Sequence, residues 1–380
     1  MQKIRINDWT WIIEDTALLN GWFSHWEGFA KDSIVKENPV RVVFKVEDLF
    51  YVKLEHPTSF WRKLRNLLSP KAAKEYATGR ALEAAGVAVA KHLGWAKCGS
   101  SNMLLTATMP DSCSVHEYWH NEIVYGNASK NKFLDKFAEF LRSFFVSGFY
   151  HPDFHIGNIL YSPTSESFAL VDVYGISLPK KLSDSEIAEH TQIVLELYRG
   201  LSDSEATNFL MQIRNDLTLG RAKEIWQAGL ESKALKAQAS WQKRQAQIHN
   251  NYSKFVEVLN ISNNEFLVRK TLGIGSTVSL NEIPDCLTGN HFDIMRLSHD
   301  DAQNFWMESF YLEILGIDHL RPLIFEKPGV LYFEKAPDGA PKASPEKAAQ
   351  FIARAEIAGV TINPNYLLEL SNGRIVISKM

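Results

Sequence analysis

The chain has 380 residues, 45% of them hydrophobic, with 22 Phe, 12 Tyr and 10 Trp, which suits two or three domains with real cores. A formal charge of -3 and a pI near 6.5 argue against general nucleic-acid binding, which needs a basic surplus. Three widely separated cysteines, Cys98, Cys113 and Cys286, with no CxxC pairing, suggest neither a disulfide framework nor a cysteine-rich zinc site and fit a reducing cytoplasm.

Residues 1–30 hold Trp9, Trp11, Trp22 and Trp26 and read as a cap packed on the unit that follows. Their early charges are unlike a secretory leader, and no run reaches the length of a bilayer helix. Three strand candidates come next, DSIVKE, RVVFKV and LFYVKLE, the last two joined by a turn at Glu47 and Asp48 into an antiparallel meander. Lys53 stands in the third strand between apolar neighbours. The following helix, SPKAAKEYATGRALEAAGV, opens on Ser and Pro, is alanine-rich and stops at Gly86. It offers Glu75 as a partner for Lys53, and Glu83, two turns on, offers another.

Between strand and helix, FWRKLRNLLSPKAAK carries Arg62, Lys63, Arg65, Lys71 and Lys74, with no acid before Glu75. One reading is a solvated segment docked by Trp61, Leu64 and Leu68; the other is a patch for an anionic substrate or an anionic membrane face. Residues 92–110 read as two strands about a turn at Gly99 to Asn102, which completes a five-stranded lobe. Thr106 to Ser112, with Met109 in its middle, is then the connection to the next lobe. NKFLDKFAEFLRSFFVSGFY is a long amphipathic helix with Phe133, Phe137, Leu141 and Phe145 toward a core.

That helix leads into HPDFHIGNILY, His151 to Tyr161, and then FALVDVYG, Phe168 to Gly175. A loop carboxylate (Asp153), an amide five residues on (Asn158) and a second carboxylate at the end of an apolar strand (Asp172) is how a phosphoryl-transfer site holds nucleophile and metal. A hairpin from ILY through SPTSES to FALV brings Asn158 and Asp172 to the same end, as a Mg2+ clamp requires. Lys53 is then placed for the phosphates of ATP, and the backbone around Met109 for its adenine.

Downstream, SxxE starts at Ser183 and Ser202 mark helices, and a helical tract from about Ala222 to Leu259 carries Lys233, Lys236, Lys243 and Arg244. Its low hydrophobicity reads as an exposed helix lining a cleft or facing lipid headgroups. A boundary falls near Asn260 to Asn264, followed by a strand pair, FLVRKTLG and STVSLNEI, and a helix from Asp300 to Ile314. From Asn304 onward the layout helix, Gly, strand, turn, strand, Pro repeats that of Ala73 to Pro110, and Pro364 and Asn365 fall near the places of Pro152 and Asp153. The last third therefore reads as a decayed repeat without Asn158 or Asp172.

The run from Tyr51 to Ala96, with HPDFHIGNIL and LVDV, resembles the lipopolysaccharide kinase family that phosphorylates inner-core sugars, heptose or 3-deoxy-octulosonic acid. That family is related to protein kinases and to aminoglycoside and choline phosphotransferases. The resemblance covers roughly residues 30–255 and implies an α+β, protein-kinase-like bilobal fold, a small antiparallel-sheet lobe plus a helical lobe, using ATP and Mg2+. Asp153 then looks like the carboxylate that takes the proton from the acceptor hydroxyl, Asn158 and Asp172 like the magnesium ligands, and Lys53 like the phosphate lysine held by Glu75. His151 resembles the structural histidine heading the loop, and His155 one found there in small-molecule phosphotransferases.

Three departures stand out. Pro152 replaces the arginine that receives an activation-loop phosphate, Val173 and Tyr174 follow Asp172 in place of Phe and Gly, and Pro39 stands where a glycine-rich phosphate loop is expected. The expected domains are residues 1–110 (cap and β-rich lobe), 111–259 (helical lobe) and 260–380 (α+β extension). The favoured function is phosphoryl transfer to a sugar hydroxyl of an envelope glycolipid, in the cytoplasm, with peripheral contact to the membrane's inner face through Arg62, Lys63, Arg65 and Lys71. A kinase for a soluble small molecule or a protein, and a nucleotide-binding scaffold without turnover, are the competing readings.

Overall fold

The computed structural model describes residues 1–28, 33–124, 128–177, 191–249, 256–261, 264–269, 292–334, 339–370 and 375–378, with 179–181, 183 and 189. The chain is mixed α and β, in two compact units. The first comprises Met1–Ile123, Asn127–Glu196 and Asn208–Leu217; the second comprises Val124–Gly126, Leu197–Thr207 and Thr218–Met380.

In the first unit, β1 (Gln2–Ile6) and β2 (Trp9–Ile13) form a hairpin turned by Asn7, whose left-handed φ of 54° asparagine tolerates. Alternation sends Trp9, Trp11 and Ile13 inward, where Trp11 meets the ring of Phe23 edge to face at 4.9 Å. Strands β3 (Ile34–Asn38), β4 (Arg41–Val46) and β5 (Phe50–Glu55) make the expected meander. Helices α1 (Phe60–Leu68) and α2 (Lys71–Ala84) follow, then β6 (His92–Cys98) and β7 (Ser101–Ala107). The antiparallel sheet runs β1-β2-β6-β7-β5-β4-β3. Residues 1–30 are therefore not a separate cap. Their hairpin pairs with β6 and extends the expected five strands to seven, with Trp9 and Trp11 buried in the core beneath the sheet.

Beyond β7 lie β8 (Cys113–Ser114), α3 (Val115–Tyr118), capped by a reciprocal Ser114–Glu117 box, and α4 (Lys130–Val146). Helix α4 buries Phe133, Phe137, Leu141 and Phe144; Phe145, expected in the core, is only half-buried. The hairpin of β9 (Ile159–Ser162) and β10 (Ser167–Leu170) packs its Phe168 on Phe133 and Phe137 of α4. Three further helices follow: α5 (Ile193–Glu196), α6 (Asp203–Ile213) and α7 (Leu219–His249). Ser202 and Glu205 form the capping box expected at the start of α6; of the helix expected from Ser183, residues 184–188 and 190 lie outside the described residues, and the described part forms α5 and a 3-10 turn at Tyr198–Gly200.

The second unit contains α7, β11 (Val256–Ile261), β12 (Asn264–Arg269), β13 (Phe292–Arg296), α8 (His299–Leu315), β14 (Pro322–Glu326) and β15 (Val330–Glu334). It ends with α9 (Pro345–Ile357), β16 (Leu367–Glu369) and β17 (Ile375–Ile377). Two expectations change here. The stretch 260–264 is no boundary, because β11 and β12 pair across it from Val256↔Arg269 to Ile261↔Asn264; STVSLNEI lies outside the described residues. Nor is the 222–259 tract an exposed helix, since α7 buries Ala222, Trp226, Leu230, Ala234 and Ala237, the last two in one core with Leu312, Leu315 and Ala355. Helix α7 thus belongs with the carboxyl-terminal sheet and not with residues 111–259.

The second unit's sheet repeats five of the seven strands of the first. Its sheet order β11-β12-β14-β15-β13 matches β1-β2-β6-β7-β5, and a register shift between Pro322 and Ile324 matches that between His92 and Gly94. Helix α8 ends on Gly316 (φ 73°) with Ile317 N–H donating to Leu312 O, as the chain after α2 turns on Gly86 (φ 78°) with Val87 N–H donating to Leu82 O. Each unit then makes one isolated parallel bridge to the closing hairpin, Val89↔Leu170 and His319↔Ile377. The side chains at equivalent places differ: by strand register Met295 occupies the place of Lys53, and eleven residues before each glycine Phe305 stands for Glu75.

Candidate active site

Strand β5 alternates Phe50, Val52 and Leu54 into the sheet's core, leaving Tyr51, Lys53 and Glu55 on the other side. Helix α2 covers that side, burying Ala72, Glu75, Tyr76, Gly79 and Leu82. Gly79 is required there, since a Cβ would collide with the His92 ring on β6. With α2 seated so closely, Glu75, only 3% exposed, reaches Lys53 Nζ at 2.7 Å. Glu83 faces elsewhere and pairs with Arg80 at 2.8 Å.

Lys53 Nζ also lies 2.7 Å from Asp172 Oδ1. Burial alone would lower the Lys53 pKa, but Glu75 and Asp172 outweigh it and hold the ammonium above its usual value. The two carboxylates diverge: burial pushes Glu75 up despite Lys53, whereas in the more open Asp172 burial is overcome by Lys53, Arg41 and Lys71, which hold it down. Asp172 has a left-handed φ of 53°, a conformation costing a non-glycine residue on the order of 1 kcal/mol and concentrated at functional sites.

The loop from His151 is fixed from several sides. His151 is 2% exposed, and its Nδ1 accepts the Asp153 N–H at 3.1 Å; burial drops its pKa to about 4, so the ring is neutral. Phe154 stacks on Phe144 of α4 at 4.7 Å, and the Ile156 N–H donates to Glu196 Oε2 at 3.1 Å. The Asp153 carboxylate is left exposed, 3.8 Å from His155 Nε2. His151 therefore positions Asp153 and is a support, not a group facing a substrate. Asn158 Nδ2 donates to the Asp153 carbonyl at 3.0 Å, and the Val171 N–H donates to the Asn158 carbonyl at 2.9 Å, so Asn158 and Asp172 flank the same end of the β9–β10 hairpin.

Among the described residues no group of three or more His, Cys, Asp or Glu forms a metal cage. One carboxylate and one amide oxygen suit Mg2+, which takes few protein ligands and fills its octahedron with phosphate and water. Asn158 spends its NH2 on Asp153, leaving its Oδ1 for a cation, and Asp172 is held ionised, so this pair fits that ion.

Two side chains join the cluster without a sequence motif to mark them. Arg41, the first residue of β4, bonds Glu55 at 3.1 Å and comes within 3.9 Å of Asp172 Oδ2. Lys71, assigned from sequence to a membrane patch, instead bonds Glu55 at 2.6 Å and lies 4.4 Å over the Tyr174 ring. Asn38 and Arg41 pair across Pro39 and Val40, so the β3–β4 turn is tight and takes the place of the expected glycine-rich loop. Met109 lies in the loop after β7, its carbonyl accepting from Ser112 Oγ at 2.7 Å.

No family model matches the chain, and no curated protein does. Among solved structures it is similar to the bifunctional kinase-methyltransferase WbdD, at 14% identity and a TM-score of 0.35. The match covers 60% of this chain and 48% of that one, so the chain spans about half the length of the protein it resembles. A likeness this loose carries no weight for function.

Proposed function

We propose that the first unit is a protein-kinase-like phosphotransferase that moves the γ-phosphoryl group of ATP to a hydroxyl, with a sugar of lipopolysaccharide inner core or a related envelope glycolipid as acceptor. The observation that carries the phosphotransfer reading is Lys53 held 2.7 Å from both Glu75 and Asp172, with Asp153 and Asn158 on a braced loop beside them. These side chains lie far apart in sequence and converge from a strand, a helix, a loop and a hairpin end, which structural ion pairing alone does not require.

In this reading Lys53 and Arg41 bind phosphate oxygens, the side chain of Arg41 supplying charge that the tight β3–β4 turn does not supply from backbone N–H groups. Magnesium, held by Asn158 and Asp172, would neutralise charge on the transferring phosphates. Asp153 orients the acceptor hydroxyl and receives its proton late, since the transition state is loose. His151 holds Asp153 by its backbone, and Glu75 fixes Lys53.

The test is Mg2+-dependent ATP turnover by the full chain, with and without core-glycolipid acceptors, and Asp153→Asn as control. Turnover stimulated by a glycolipid and reduced by orders of magnitude in the variant, with nucleotide binding kept, is expected. Equal turnover by the variant would sink the role of Asp153. Stimulation by soluble alcohols only would move the acceptor to a small molecule, and binding without any turnover would favour a scaffold.

A further inference from the structure

Helix α1 is seated with its polar side toward the protein and its apolar side outward. Its only buried residue is Asn66, whose Nδ2 donates to the Ser100 carbonyl at 3.3 Å. Phe60 (71%), Trp61 (74%), Leu64 (43%), Leu67 (53%) and Leu68 (79%) are exposed. At helical spacing these five share one face, the reverse of an ordinary surface helix, which turns its apolar stripe to the core. Lys63 and Arg65 border that face on either side, and Arg62 follows behind Arg65. From His56 to Lys74 the sequence has five cations and no acid.

We infer that α1 is an interfacial helix that docks the protein on an anionic lipid bilayer. Phe60, Trp61 and the three leucines enter the headgroup and acyl boundary, while Arg62, Lys63 and Arg65 remain at the phosphates with their stems along the apolar surface. Charge decides for a bilayer over a second copy: two such faces set against each other would oppose Arg62, Lys63 and Arg65 to their own equivalents, which repels. The insertion is made by the leucines and aromatics. Lys71, committed to Glu55 and Tyr174, takes no part, which separates this surface from the cationic cluster at Asp172. Docking needs no nucleotide and stands independently of phosphotransfer.

The experiment is co-sedimentation of the full chain with vesicles of phosphatidylcholine alone or with about 30% phosphatidylglycerol, in about 0.15 M salt. Preference for the anionic vesicles is expected, falling about tenfold or more in Trp61→Ser/Leu64→Ser/Leu68→Ser. Arg62→Ser/Lys63→Ser/Arg65→Ser should erase the preference between the two compositions. The melting temperature should not fall in either variant, because none of these side chains is buried. Brominated lipid should quench tryptophan emission in the wild type and less so in the fold-conserving Trp61→Phe. Absence of binding by the wild type, binding unaffected by the apolar variant, or quenching unchanged in Trp61→Phe would overturn the proposal. So would a wild-type dimer that the apolar variant converts to monomer.

Discussion

Lys53 is the side chain on which the proposed chemistry turns, because it bonds both carboxylates, Glu75 and Asp172. Its neighbour could be narrowed in sequence only to Glu75 or Glu83. Eight residues are 2.2 helical turns, so the two glutamates point about 80° apart, enough to send one to Lys53 and the other to Arg80. Arg41 was illegible because nothing in RVVFKV announces a carboxylate that arrives only after the β9–β10 hairpin. Its proposed role predicts that Arg41→Gln raises the KM for ATP about tenfold with a smaller change in kcat, as loss of a charged phosphate contact should. Asp172→Ala should abolish Mg2+-dependent ATP binding in calorimetry while leaving weaker metal-free binding through Lys53 and Arg41. Since Met295 and Tyr366 stand in the places of Lys53 and Asn158, the second unit should supply no residual Mg2+-dependent heat; unchanged affinity in Asp172→Ala would remove Asp172 as a ligand.

The elements that form the site were mostly legible because their signals are local: alternation in β5, the Gly86 stop of α2 and the hairpin after Asn158. What escaped was pairing between distant segments. The strand Trp9–Ile13 reads as a strand in isolation, but nothing in it names β6 as partner. Helix α7 escaped for another reason, since half of its buried hydrophobic positions, Ala222, Ala234 and Ala237, are alanine, which lowers apparent hydrophobicity while allowing close helix approach. The seat of α2 depends on a similar economy of volume at Gly79, over His92. Gly79→Ala should gain a little intrinsic helix propensity yet destabilise the first unit, because relieving the clash must lift α2 or turn His92. Tilting α2 moves Glu75 from Lys53, so ATP turnover should fall even under conditions where the variant is fully folded by circular dichroism. A variant with wild-type turnover and stability would show that α2 tolerates more room than its packing suggests.

At the scale of the molecule, the repeat was legible in outline from Asn304 onward, but its register was not. Pro364 and Asn365 do not stand in the places of Pro152 and Asp153. They begin the 3-10 turn matching Ile156–Asn158, because the path from Gly148 to Asn158 takes ten residues and that from Gly359 to Tyr366 seven. The missing residues are those that hold Asp153, so the second unit keeps the sheet, the helix and the hairpin without the loop. What both units share is buried neutral histidine: His92 and His151 in the first, His319 in the second, each displaced by burial from 6.5 to about 4. His319 Nδ1 donates to the Ile317 carbonyl, and its Nε2 accepts from Ser309 Oγ, which in turn accepts from Arg269. A second positive charge there would face the Arg269 guanidinium at close range. Below pH 6.5 the unfolded chain takes up protons that the folded units refuse, so stability is full above that value and falls as pH drops toward 4. The loss is on the order of 3 kcal/mol for each histidine whose whole displacement is realised. Thermal melts from pH 7.5 to 4.5 should therefore show a falling midpoint. His319→Gln, which keeps a polar group against Ser309, should flatten the pH dependence of the second unit without altering that of the first. A midpoint level between pH 6.5 and 4.5 in the wild type would mean that these rings take their protons without unfolding anything.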